Sequence, residues 1–154
     1  MNAATVADRY LEPGWFTRNV FNRLMSGLTK LGLSVRGSRV LAVRGRTSGE
    51  WRTTPVNPLT IGADTYLVAP RGTTDWVRNI RVAGDGQLRI GRKHRDITVT
   101  EITDATVKAP ILRTYLHNWK MEVGAFFDGV GPDAPDGDLR SIAAGYPVFR
   151  VTEG

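Results

Sequence analysis

The spacing of hydrophobic positions changes several times along the chain, and each change marks an element. From Thr17 to Leu31 it is helical. Val20, Phe21, Leu24, Met25, Leu28 and Leu31 fall on one face, opposite Arg18, Asn19, Asn22, Arg23, Ser26 and Lys30. Pro13-Gly14 precedes this helix after a short lead, and Gly32 is its stop signal. The run Val40-Leu41-Ala42-Val43 then predicts a buried strand, and Trp51 opens its returning partner. Leu59 and Ile61 lead to a turn at Gly62-Ala63-Asp64, and Thr65 to Ala69 reads as the next strand. Pro70-Arg71-Gly72 ends that strand. Thr73 or Thr74 caps a short helix to about Ala83, with Asp75 in its first turn and Trp76, Ile80 and Ala83 on one side.

Alternation returns at Leu88/Ile90 and at Ile97/Val99, predicting strands around 87–90 and 96–102 joined through 91–95. Thr103-Asp104 caps a helix towards Trp119, kinked or restarted at Pro110. A short apolar stretch from Met121 to Phe127, a Gly/Pro/Asp loop over 129–137 and a closing strand over 146–151 complete the chain. Five or six short strands with two main helices predict an α+β fold, its antiparallel sheet curled into a barrel. The order is not the strand–helix alternation of a dinucleotide-binding domain. One domain is expected, with residues 1–34 as an amphipathic helical segment and 35–154 as the barrel.

Composition narrows this picture little. The chain has 154 residues, 41% of them hydrophobic, which suits a single globular core. No apolar run approaches the roughly 18 residues of a membrane span. No secretory signal is visible at the N-terminus, and with no cysteine there is neither a disulfide framework nor thiolate chemistry. A cytoplasmic protein is expected. Charge changes the picture more. The formal charge is +6, and 17 Arg stand against 4 Lys. Arginine is favoured where oxyanions are held by paired hydrogen bonds. Nucleic acid, an anionic membrane face and an anionic small molecule all fit. The 17–31 helix packs on the core or lies on a membrane surface with Trp15 and Phe16 at the interface.

The candidate chemistry concentrates in RGRTSGEWRTTPVN, residues 44–57. A strand, a polar turn between Gly45 and Gly49 and a returning strand bring Arg46, Thr47, Ser48 and Arg52 to one end of a sheet. That arrangement is an anion clamp or a solvated hairpin tip. The two histidines, His94 and His117, lack metal-binding spacing. No Gly-x-Ser-x-Gly elbow or complete phosphate-binding lysine loop occurs. If the chain is an enzyme, a cofactor performs the difficult step.

The segment 45–58, GRTSGEWRTTPVNP, together with PRGTTDWVRNI at 70–80, resembles the deazaflavin-dependent nitroreductase family, the F420-dependent quinone and nitro reductases of the split β-barrel class. The matching residues are Gly45, Arg46, Ser48, Gly49, Arg52 and Pro55, then Arg71, Trp76 and Asn79. The resemblance implies an FMN-binding-like, mostly antiparallel split β-barrel with flanking helices. It implies that Arg46, Thr47, Ser48 and Arg52 hold the phosphate and polyglutamate side of coenzyme F420. Thr53, Thr54, Pro55, Val56 and Asn57 would lie along the deazaflavin ring. Ala69, Pro70 and Arg71 would contribute from the neighbouring strand end, and Asp75, Trp76 and Asn79 from the short helix. Hydride would pass from the reduced coenzyme to a small electrophilic acceptor: a quinone, a nitroaromatic or an activated enone. The chain departs from the family pattern in a shorter loop between Gly72 and Trp76 and in Gly84-Asp85 after the helix. Tyr115, Trp119, Phe126 and Phe127 are candidates for the acceptor pocket or for the core. The alternatives are an FMN-dependent enzyme of the same barrel class and a nucleic-acid module using Trp51 and Trp76. Under the family reading no nucleic acid is expected, and peripheral membrane contact would come through the 17–31 helix.

Overall fold

The computed structural model describes residues 39–153. The helix expected over 17–31 and the boundary at 34/35 lie outside the described residues.

Seven strands form one sheet: β1 (Arg39–Arg44), β2 (Trp51–Val56), β3 (Leu59–Ile61), β4 (Asp64–Val68), β5 (Asp85–Ile90), β6 (Lys93–Ile102) and β7 (Val148–Glu153). Their order is β2-β1-β5-β6-β7-β4-β3, and every neighbouring pair is antiparallel. The two outermost strands, β2 and β3, are joined by Asn57-Pro58 alone. Laid flat at ~4.8 Å spacing, six inter-strand gaps would separate them by roughly 29 Å. Three peptide steps reach only about 11 Å. The sheet must therefore curl until its edges approach, and because no ladder joins β2 to β3 the barrel is split at that seam. Pro55 is accommodated because β2 is an edge strand.

Strand alternation divides the apolar residues between two layers. Leu41, Val43, Val56, Leu67, Ala69, Ile97 and Phe149 face one core, which Val77 and Ile80 of helix α1 (Asp75–Ala83) complete. Tyr66, Val68 and Val148, one position out of phase, face the other. They meet α2 (Ala105–Val123), a 3-10 turn over Gly124–Phe126 and α3 (Asp136–Ile142). The fold is thus α+β, a mostly antiparallel split β-barrel with flanking helices. None of its described helices is long and apolar enough to cross a membrane.

Several expectations need correction. Asp104 caps α2 as expected, its Oδ1 accepting from the Thr106 N–H at 2.8 Å. Pro110 leaves the helix regular, however, and the break in backbone geometry falls at Trp119 (φ −129°, ψ 30°). After that break the chain buries Val123, Phe126 and Phe127. The loop over 129–137 ends sooner than expected, because Asp136 opens α3. Arg113 pins its start, donating to the Pro132 carbonyl at 2.6 Å and to Asp136 Oδ1 at 2.5 Å. Asp85 and Gly86 belong to β5, and β6 begins at Lys93, leaving a two-residue hairpin loop. Its first residue, Gly91, takes φ 57°, which suits glycine there. The closing strand begins at Val148, two residues later than expected.

Candidate functional site

The turn from Gly45 to Glu50 is built by its own backbone. Gly45 N–H donates to the Glu50 carbonyl at 2.8 Å, and Gly49 N–H donates to the Gly45 carbonyl at 2.9 Å. Ser48 Oγ accepts from the Glu50 N–H at 3.1 Å. A Cβ on Gly45 would sit 2.9 Å from Ser48 Oγ, so a side chain there would displace that hydroxyl. The turn is closed tightly enough to fix where its side chains leave it.

Helix α1 stands against this turn. Its Asn79 is buried, 4% exposed, and Asn79 Oδ1 accepts twice from Arg46: from the backbone N–H at 3.0 Å and from Nη1 at 2.7 Å. Arg46 Nη2 also lies 3.5 Å from Asp75 Oδ1. That long contact joins a side chain 37% exposed to one 79% exposed, so solvent screens it and it adds well under about 1 kcal/mol. Arg46 is held from the protein side and open on the other.

Between turn and helix lies a cavity of about 620 Å³. Register explains part of its lining. Arg52 pairs across the ladder with Val43 and Thr54 with Leu41, so these side chains share the face that looks towards α1. Arg46, Thr47, Ser48, Arg52, Thr53, Thr54, Arg71, Asp75, Trp76 and Asn79 all line the cavity. Pro55, Val56, Asn57, Ala69 and Pro70 do not. Pro55 pairs with Val40 on the opposite face, Val56 and Ala69 are spent on the inner core, Asn57 is buried, and Pro70 is half-buried. Val43, Gly45 and Thr74 also line the cavity; Gly45 was expected to flank the clamp turn, whereas Val43 carried no such signal. For Thr74 a signal existed, since a threonine before a short helix is a cap by composition.

Thr74 does occupy the cap position of α1, yet its hydroxyl makes no capping bond. The residue is 8% exposed, and its Oγ1 is buried with no hydrogen-bond partner among the described residues. A buried hydroxyl left unpaired costs on the order of 1–3 kcal/mol. The first-turn N–H groups of α1 add partial positive charge at the same wall. Three guanidiniums, a row of hydroxyls and a helix N-terminus thus converge on one polar opening. Trp76 supplies its aromatic surface and leans on Phe149, with ring centroids 5.8 Å apart. Such a set can hold an extended, multiply anionic ligand that also carries a planar ring.

The aromatic candidates of the C-terminal third lie elsewhere. Tyr115, Trp119, Phe126 and Phe127 are all buried in the helix layer. Trp51 is flanked by cations, with Arg44 4.0 Å and Arg89 5.1 Å from its ring centroid. The exposed ring is thus bordered by the protein's own guanidiniums. Among the described residues no group of acids and histidines could hold a metal ion.

The model of the family described as F420H(2)-dependent quinone reductase matches residues 15–122, well over half of the chain. No curated protein matches it. Among solved structures, an F420-H2 dependent reductase, FDR-A, is similar at 20% identity with a TM-score of 0.45, covering 76% of this chain and 95% of its own. General Stress Protein 26 from Bacillus anthracis strain Sterne is similar at 11% identity with a TM-score of 0.46, covering 86% of this chain and 88% of its own. A domain-swapped dimer is similar at 21% identity with a TM-score of 0.48, covering 90% and 97%. The family match spans the turn, the cavity and α1, and the chain belongs to the F420H(2)-dependent quinone reductase family of oxidoreductases.

Proposed function

We propose that the chain holds reduced F420 in the cavity between the Gly45–Glu50 turn and the start of α1, and that an electron-poor small molecule bound beside it is reduced. The observation that carries this reading is the fixed Arg46, tied twice to Asn79 at a cavity that Arg52 and Arg71 also line. The coenzyme's tail carries a phosphodiester and γ-linked glutamates, and forked guanidiniums suit both groups. The donor set therefore fits the charge of the group, and the unpaired Thr74 hydroxyl adds a further donor or acceptor at the wall.

Arg46, Arg52 and Arg71 would take the anionic tail, helped by the hydroxyls of Thr47 and Ser48. Thr53, Thr54 and Trp76 would bound the ring. Reduced deazaflavin supplies a hydride to an acceptor held against it. The chain's part is to fix the relative placement of the two reactants and to limit water between them, and neither task needs a covalent bond to a side chain. Quinones, nitroaromatics and activated enones are the acceptors proposed, quinones first because the family carries that name.

Residues 35–154 form the coenzyme-binding unit in this reading. The amphipathic 17–31 segment would bring it to a lipid surface. Liposome flotation of the chain with and without residues 1–34 tests that contact, and identical behaviour ends it.

The principal test is a fluorescence titration of the purified protein with F420 and, in parallel, FMN, at low and high salt. Selective F420 binding at micromolar concentration or tighter, weakened by salt, supports the reading and leads to an acceptor screen. Preference for FMN keeps the barrel and changes the chemistry. Failure to bind either removes the proposal.

A further inference from the structure

We propose that Asn79 is a positioning residue for Arg46: its amide oxygen sets the pose of the guanidinium before any ligand arrives, and its effect on binding passes through that arginine. The proposal rests on the reading of this cavity as the coenzyme site.

The geometry separates this role from direct ligation. Two Arg46 donors, 3.0 Å and 2.7 Å away, converge on one atom of Asn79. Since only the amide oxygen can accept from both, the orientation of the group is set by Arg46. One of the two donors is the backbone N–H, so Asn79 fixes the place where the arginine leaves the turn as well as the head of its side chain. Asn79 is itself buried and sits in α1 beside the fully buried Val77 and Ile80, so the backbone that carries its amide is anchored in the core. Arg46 itself belongs to a turn on the other side of the cavity, 33 residues earlier in the chain. The bond therefore ties the two walls together and points the rest of the guanidinium's donors at the space between them.

An arginine free to rotate loses considerable side-chain freedom when it grips an anion. Arg46 has already given up much of that freedom to Asn79, so an anion reaching the cavity meets a fork already aimed. The Asp75 carboxylate is the other partner and plays the opposite part. At 3.5 Å, with a mostly exposed side chain, it is a contact that an incoming oxyanion displaces easily. Asn79 is the permanent anchor and Asp75 the exchangeable one.

The test combines a readout without ligand and a double-mutant cycle. Amide hydrogen exchange of Arg46 is measured first in the wild-type protein, in Asn79→Ala and in Asn79→Asp, which keeps an acceptor oxygen. Slow exchange in the wild type and in Asn79→Asp, with loss of protection in Asn79→Ala, is expected. An Arg46 amide that exchanges freely in the wild type overturns the proposal without reference to any variant. F420 titrations of wild type, Asn79→Ala, Arg46→Ala and the double variant follow. Losing a charge-assisted contact weakens binding by about 10- to 100-fold, and Asn79→Ala is expected at the lower end of that range. In the Arg46→Ala background, Asn79→Ala should change the Kd less than about twofold, since coupled residues are not additive. Equal and additive losses would mean that Asn79 touches the coenzyme itself, which overturns the positioning role while the coenzyme reading stands. Protection of Arg46 by Asn79 in a protein that does not bind F420 gives the converse: the positioning stands and the coenzyme reading falls.

Discussion

The inner face of the barrel and the outer helix layer both bury polar groups, and they satisfy them differently. In the helix layer, Trp119 Nε1 apart, the partners are internal. Lys108 Nζ donates to the Ala143 carbonyl at 2.5 Å, and the Tyr146 hydroxyl donates to the Phe126 carbonyl at 2.5 Å. Phe127 stacks on Tyr146 with centroids 4.2 Å apart and planes 7° from parallel. At the cavity, by contrast, Asn79 holds Arg46 from behind while the hydroxyls of Thr47, Ser48, Thr53 and Thr54 line an opening. A polar group enclosed with its partner contributes to stability, and one fixed beside an opening is available to a ligand. The two layers share a single sheet but divide these tasks, so substitutions in them should separate stability from affinity.

The largest separation is expected from Phe127→Ala. Removing a fully buried aromatic ring costs about 3–5 kcal/mol, and here the stacking with Tyr146 goes with it. Denaturant unfolding should show this loss, while the F420 Kd of the protein that remains folded stays near the wild-type value. A large change in affinity would mean that the helix layer shapes the site. Arg46→Ala is the counterpart. It removes a guanidinium from an opening, so F420 affinity should fall by about 1.5–3 kcal/mol. Unfolding stability should fall by only about 1 kcal/mol for the lost bond to Asn79, whose oxygen keeps the Arg46 backbone N–H. Comparable losses in both measurements would erase the division.

Lys108 gives a pH-dependent version of the same comparison. Burial is the chief cause that holds its pKa below the ordinary lysine value; Arg81 pushes it the same way and Glu101 opposes them. The folded state thus binds this proton less readily than the unfolded chain does. Folding stability attributable to Lys108 should rise as pH increases from its lowered folded pKa towards the ordinary value of about 10.4. Chemical denaturation across the alkaline range tests this. Lys108→Met should flatten the rise, and an unchanged slope in the variant would show that other groups set it. Coenzyme affinity at neutral pH should not respond, because Lys108 lies in the helix layer.

The split between the layers was only half legible in the sequence. The turn around Gly45 to Glu50 could be read because its signals are local, with glycines and polar residues between two apolar runs. The short helix at Asp75–Ala83 was legible for the same reason, although the capping bond expected of its threonine does not form. The bond from Arg46 to Asn79 could not be read, because nothing in either segment specifies an oxygen 33 residues away. Helix α3 escaped notice because its seven residues include Gly137 and two aspartates, and only Leu139 among them is deeply buried. The break at Trp119 was misplaced to Pro110 because proline is the conspicuous local signal. The break lets the chain beyond it bury Val123 and Phe127, and periodicity does not show such packing.

The smallest expected effects come from the two buried side-chain polar atoms that have no partner among the described residues, and they sharpen the comparison most. Thr74 Oγ1 lies at the cavity wall, and Trp119 Nε1 lies in the helix layer. Replacing an unpaired polar group by an apolar one of similar shape is close to neutral or mildly stabilising. Thr74→Val should therefore leave unfolding stability unchanged or raise it by up to about 1 kcal/mol. If a bound coenzyme satisfies the hydroxyl, the same change should weaken F420 binding by about 0.5–1.5 kcal/mol, a few-fold in Kd. Trp119→Phe removes the other orphan at the cost of some packing, and it should leave F420 affinity alone. The discriminating result is the sign pattern of the two variants. Lost affinity in Thr74→Val without lost stability assigns the hydroxyl to the ligand, whereas unchanged affinity in both leaves Thr74 as an unpaired cap and moves the ligand's contacts to the arginines.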